Sequence, residues 1–167
     1  MKRKILFFLG LYLLLHPENV YAQRTDLAVP VVKKVLVLEF NPIIESAGNQ
    51  RLNVSRGWNQ PVSLEEGYIR DIREISGGVL NYQIVERQVI DDIPVKNDGF
   101  DYTDETYLVC LNNSSSCHQP DLVSYLQILN QYDVCGKRNR GEIDELWMWG
   151  APYFGYWEAV MTGPGAV

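Results

Sequence analysis

Apolar positions along this chain change their spacing several times, and each change marks an element. Val35-Leu36-Val37-Leu38-Glu39-Phe40 is an almost unbroken apolar run. A short run of this kind reads as a strand covered on both faces. Asn41-Pro42 stops it. From residue 64 to 75 the spacing becomes helical. Leu64, Tyr68, Ile72 and Ile75 fall on one stripe, and Ile69 widens it. Ser63 is placed to cap this helix, Glu66 to close a capping box, and Gly77-Gly78 to end it in a left-handed turn. Residues 79–89 are rich in β-branched and aromatic side chains, with Leu80, Tyr82 and Ile84 on one face, and read as a second strand. Residues 106–110 read as a further short strand. Residues 121–132 form a second helix behind Pro120, with Leu122, Tyr125, Leu126 and Leu129 as its stripe. A basic turn at 136–141 leads into the third main strand, 143–149, which breaks at Gly150.

Strand–helix–strand–helix–strand predicts an α/β fold. The expected form is three layers around a mostly parallel sheet, a Rossmann-like βαβαβ unit. Ligands in such sheets sit outside the carboxyl ends of the strands. That rule brings Glu39 and Asn41, Asp91 and Asp92, and residues 150–158 to one edge. Two segments remain. Residues 43–61 form a long loop with Gly48, Gly57 and Trp58, a length that points to function or mobility. Residues 96–106 carry Asp98, Asp101, Asp104 and Glu105 without the ordered spacing of a calcium loop, and read as a solvated acidic loop.

The ends of the chain add a compartment. Lys2-Arg3-Lys4, an apolar run to Leu15 and Val20-Tyr21-Ala22 make a signal peptide, 1–22, cleaved after Ala22. A flexible lead-in follows at 23–33, and the α/β domain occupies 34–167. The mature product is expected to be secreted or periplasmic, with no membrane attachment after cleavage. Of 15 basic and 21 acidic residues, the signal holds Lys2, Arg3, Lys4 and Glu18; the 12 and 20 that remain give a formal charge of −8. That balance argues against nucleic acid and anionic membrane as partners. Cys110 and Cys117 flank the polar loop LNNSSS and are expected to be joined, since export permits oxidation. Cys135 is then left over, a free thiol or a residue whose partner lies elsewhere.

Several chemistries lack their signature. There is no GxGxxG after the first strand, no P-loop and no nucleophile elbow. Cysteine spacing does not fit zinc, and neither metal nor cofactor is expected. His118 sits in a Ser-rich loop with no acid in a triad-like setting, and reads as an exposed loop residue. Carboxylates and aromatic rings remain, concentrated in IDELWMWGAPYFGYWEAVMTGPGA. Six of the nineteen aromatics lie in that stretch. Rings offer flat apolar faces for a sugar, and Asn or acid side chains meet its hydroxyls. Paired acids serve glycoside hydrolysis. Glu39 and Glu158 are the candidate catalytic pair. Asn41, Trp149, Tyr153, Tyr156 and Trp157 are the candidate ligand-binding residues. Asp144 and Glu145 cannot share a strand face, and Glu145 goes with Trp147 and Trp149. The expectation is an exported protein that binds or hydrolyses a glycan-like ligand at residues 149–158. The alternatives are a non-catalytic interaction module, or a peptidase-like hydrolase with catalytic residues partly beyond Val167.

KVLVLEFNP, SGGVLNYQIVERQ, DGFDYT and above all the DELWxWGxPYFGxWExxMxGPGA stretch resemble a family of secreted bacterial and fungal proteins. No activity is assigned to that family, so the resemblance implies no catalytic residue. Its members run on past the Gly-Pro-Gly-Ala point. The resemblance therefore implies that this chain is the N-terminal part of a larger domain, whose remainder supplies further acids, histidines and a partner for Cys135.

Overall fold

The computed structural model describes residues 29–157. Strand β1 is Val31–Phe40, followed by a short hairpin of β2 (Ile43–Ile44) and β3 (Gln50–Arg51), then helices α1 (Leu52–Ser55) and α2 (Pro61–Ile75). Strand β4 is Leu80–Ile90. Helices α3 (Asp104–Asn112), α4 (Tyr125–Gln131) and α5 (Val134–Asn139) precede strand β5, Glu145–Trp149. β1 lies at the centre of a three-stranded parallel sheet of order β4-β1-β5. The chain is thus α/β, as the apolar pattern implies.

β1 is central because it is apolar on both faces. Val35, Leu36, Val37 and Leu38 are fully buried. Each such side chain contributes roughly 1.5–3 kcal/mol of burial free energy. Leu36, Leu38 and Phe40 point to one core, shared with Ile128 of α4, Val134 of α5 and Tyr107 and Cys110 of α3. The opposite face carries α2, whose Tyr68 meets Tyr82 and Trp147. β4 is reached from β1 by way of α2, and β5 lies on the other side of β1, reached by way of α3–α5. Crossovers of one hand running in opposite directions lay their helices on opposite faces, which gives the three layers.

One irregularity decides which side chains meet. The β1–β4 register pairs Val35 with Ile84 but Leu36 with Glu86, so Val85 is an extra residue. A bulge shifts the alternation of everything beyond it. Leu80, Tyr82 and Ile84 share the α2 face, as expected. Past the bulge it is Arg87 that takes that face, level with Val37, while Glu86 goes to the opposite face and pairs with Lys137 of α5.

Several elements differ from the sequence expectation. Residues 106–110 are helical, not extended. Thr103 caps α3 by accepting from the Thr106 N–H, and the Thr106 hydroxyl accepts from the Thr103 N–H. Asp104 and Glu105 belong to the first turn of α3, where acids favour the helix dipole, so the acidic loop is shorter than expected. The second helix starts at Tyr125 rather than 121. The backbone just before it is engaged in other pairing: Asn97 N–H donates to Leu122 O and Ser124 N–H to Val95 O. The basic turn at 136–141 is mostly helix α5. The long loop contains the β2–β3 hairpin and α1. α2 begins at Pro61, and its Gln60 cap makes no side-chain capping bond, so Ser63 lies inside the helix. β1 starts at Val31, within the expected lead-in. The signal-peptide segment lies outside the described residues.

Candidate functional site

The carboxyl ends of β1 and β5 open into a cleft of about 300 Å³. It sits where the chain departs from β1 in opposite directions, the place at which open parallel sheets leave a crevice. β1 supplies Glu39 and Asn41, and β5 supplies Trp149 and then Gly150. The segment after β1 supplies Asn53, Trp58 and Asn59, and α2 supplies Pro61 and Leu64. Glu39 and Trp149 are in register across the β1–β5 ladder, which puts both on the α2 face.

A buried polar network fixes the floor. Glu39 is 6% exposed and accepts from Asn41 Nδ2 (2.9 Å) and Arg87 Nη1 (2.9 Å). Asn41 Nδ2 also donates to Asn53 Oδ1 (2.9 Å), and Asn41 Oδ1 accepts from the Asn53 N–H (3.1 Å). Asn53 Nδ2 donates to Gln60 Oε1 (3.1 Å) at the start of α2. Both amide hydrogens of Asn41 are engaged, so it orients Glu39 and Asn53 rather than reaching freely into the cleft. Arg87 is also ion-paired with Glu65 of α2. One guanidinium thus holds two carboxyl groups.

Glu65 is the residue sequence reasoning missed. It is 1% exposed, and an acid near the start of a helix gives no sign of burial in the sequence. Burial raises its carboxyl above the ordinary range, opposed chiefly by the Arg87 charge. The Trp149 indole N–H faces this carboxylate and favours its charged form. Yet neither Trp149 Nε1 nor Glu65 Oε1 closes a hydrogen bond of ordinary geometry. The two are near neighbours whose bond is not made. Trp58 was visible only as a ring in a long Gly-containing loop. Arg87 had no visible signal, because only the bulge brings it to this face.

Of the expected ligand-binding residues, Asn41 and Trp149 line the cleft. Tyr153, Tyr156 and Trp157 do not. The loop after β5 turns its rings inward instead. Phe154 is fully buried against Tyr107, and Tyr156 stacks on Tyr125, with its phenol pushed up by burial. Tyr153 offers its carbonyl to the buried Lys96 Nζ (2.6 Å), which also donates to Asp121 (2.5 Å). Trp157 is exposed, and its N–H donates to the Tyr125 hydroxyl. Glu158 lies outside the described residues.

Asp91 and Asp92 also fail to join the cleft. Asp91 accepts from the Ile43 N–H (2.6 Å) and pairs with Arg51 (3.5 Å), which anchors the β2–β3 hairpin. The two acids line a separate hollow with Glu45 and Asp104. Among the described residues no group of His, Cys, Asp and Glu is arranged to hold a metal ion. His118 does have an acid partner: its Nε2 lies 2.6 Å from Asp98 Oδ2, and its ring stacks on Phe100. Cys110 and Cys117 are joined, and Cys135 is free and exposed.

No protein-family model, no curated protein and no solved structure matches this chain.

Proposed function

We propose that the cleft between β1 and β5 binds a sugar ring of an extracellular glycan. The observation that carries this reading is the meeting of two indoles, Trp58 and Trp149, with the polar side chains of Glu39, Asn53 and Asn59 in one crevice. Indole faces receive the apolar C–H face of a pyranose, and the amides and carboxylate meet its hydroxyls. Glu39, the one charged side chain in the lining, favours a neutral hydroxyl-bearing ligand over an anion.

Binding is better supported than hydrolysis by Glu39 as proton donor. Both of its oxygens already accept hydrogen bonds, one from Arg87. A carboxylate held this way suits accepting from ligand hydroxyls. If the protein hydrolyses its ligand, Glu39 takes the nucleophile or base role and Glu158 the acid role, as in the paired-carboxylate mechanisms.

The test is a binding and turnover screen of neutral glycans against the wild type, Trp58→Ala and Glu158→Gln. Trp58 is only partly covered, so its removal should leave thermal stability nearly unchanged. It should weaken binding about ten-fold, the loss expected for one stacking contact of ~1.4 kcal/mol. Retention of no glycan by the wild type overturns the reading. So does Trp58→Ala binding as tightly as the wild type. Turnover abolished by Glu158→Gln adds hydrolysis; binding without turnover makes the protein a lectin-like module.

A further inference from the structure

The helical stripe of α2 is not packed away. Tyr68 is 49% exposed, and Leu64 and Val62 are exposed beside it. Tyr68 forms a cluster with Tyr82 and Trp147, at centroid distances of 6.1 and 5.3 Å, and Tyr82 lies 5.0 Å from Trp147. These rings, from α2, β4 and β5, meet over the α2 face of the sheet. Between α2 and β5 runs a groove of about 420 Å³, walled by Leu64, Tyr68, Trp147 and Trp149 with Glu65 at its side. Trp149 and Leu64 line both this groove and the cleft. One indole therefore forms the partition between two adjoining hollows.

We propose that the groove between α2 and β5 is a second sugar subsite, so that the ligand is an oligosaccharide lying across Trp149 and engaging both hollows. This rests on the reading of the cleft given above. Three observations favour a glycan as occupant. The groove adjoins the cleft, and Leu64 and Trp149 are walls of both. Its rings keep part of their surface accessible, Tyr68 being 49% exposed, whereas Phe154 is fully buried. Its one carboxyl group is Glu65, whose Oε1 is buried and accepts no hydrogen bond from the described residues. Hydroxyl donors on a neutral chain match such a surface, whereas an anionic polymer is repelled.

The arrangement favours chains whose successive rings expose C–H faces, as β-1,4-linked pyranoses with equatorial substituents do. The experiment is a binding ladder of β-1,4-linked glucose and N-acetylglucosamine oligomers, from one to six residues, measured by calorimetry. The wild type should tighten about ten-fold or more between the monomer and the longer oligomers. Tyr68→Ala should abolish that gain while leaving monosaccharide affinity unchanged. Trp58→Ala should weaken every rung. Tyr68→Leu keeps bulk without the ring, and replaces Tyr68→Ala if the latter does not fold by circular dichroism. Affinity independent of chain length overturns the second subsite and leaves the cleft reading intact. So does a ladder that Tyr68→Ala does not alter. A wild-type dimer that becomes monomeric in Tyr68→Ala assigns the groove to a second copy and overturns the proposal. Failure of every oligomer to bind removes the cleft reading, and this one with it.

Discussion

Arg87 shows how one residue's position sets the character of the site. It faces Glu39 and Glu65 only because Val85 bulges out of the ladder. Removing it leaves two buried carboxylates without a counter-charge. Breaking a buried pair from one side costs about 3–5 kcal/mol. Arg87 keeps a partly exposed edge, so Arg87→Met should cost about 3 kcal/mol near neutral pH. The pH dependence has a definite sign. Burial, the largest effect, already raises the Glu65 carboxyl in the folded protein, and Arg87 is the main opposing influence. A raised carboxyl contributes stability that is full below the ordinary carboxylate range and is lost as pH rises through the folded value. Without Arg87 that folded value rises further, so the penalty of Arg87→Met should grow from acid to neutral pH. Denaturant titrations of both proteins between pH 4 and pH 7 measure it. A penalty equal at both ends would mean that Glu65 does not feel the guanidinium. Glu65→Gln retains an acceptor for Arg87 and should flatten the same dependence.

At the scale of elements, the loop after β5 is held as part of the core. Gly155 has φ +86, and a Cβ there would lie 2.7 Å from Val123 N and 2.9 Å from Leu122 C. Its carbonyl accepts from the Val123 N–H (3.0 Å). Gly99 has nearly the same φ, +88, with nothing within 4 Å of the same position. The pair separates backbone strain from collision. Gly99→Ala should cost about 1 kcal/mol, the left-handed penalty less the gain from a stiffer unfolded chain. Gly155→Ala should cost about 3 kcal/mol, because overpacking against backbone adds to it. Thermal unfolding of the two variants gives the comparison; equal losses would show that the loop gives way without resistance. The same loop marks the limit of what was legible. Val35–Leu38 and the aromatic run of β4 announce strands because hydrophobic spacing is a local property. Tyr107, Cys110 and Leu111 carry helical spacing over too few residues to outweigh their strand-like composition, so 106–110 reads as a strand although it is part of α3. Tyr156 and Phe154 read equally well as ligand-facing or core-facing rings. Which way they turn is decided by Tyr107 and Tyr125, far away in sequence. Glu39, Asn41 and Trp149 were legible because the strand-end rule needs only topology. Glu65 and Arg87 were not, since an acid on a helix and a base on a strand meet only through a bulge.

For the whole molecule, the sheet and the disulfide act on different parts of the same core. Among the described residues no helix is long and apolar enough to cross a membrane. The α3 face is closed by Cys110, which is fully buried and bonded to Cys117 seven residues on. Tyr107, one turn earlier in α3, donates its hydroxyl to the carbonyl of Pro152 (3.0 Å), a residue of the cleft wall. The disulfide therefore fixes the end of a helix that also supports the site. Closing so short a loop restricts the unfolded chain by about 2.5 kcal/mol on the chain-entropy account. Cys110→Ala/Cys117→Ser should lose about that much and lower the melting temperature by several degrees. The expected export route adds a chemical prediction. Protein recovered from an oxidising compartment should show Cys110 joined to Cys117 by non-reducing peptide mapping, with an N-terminus at Gln23. Cys135, exposed on α5, should alkylate at once without reductant. Recovery of Cys135 in a disulfide with Cys110 or Cys117 would contradict the pairing. An exported product that still begins at Met1 would contradict cleavage after Ala22.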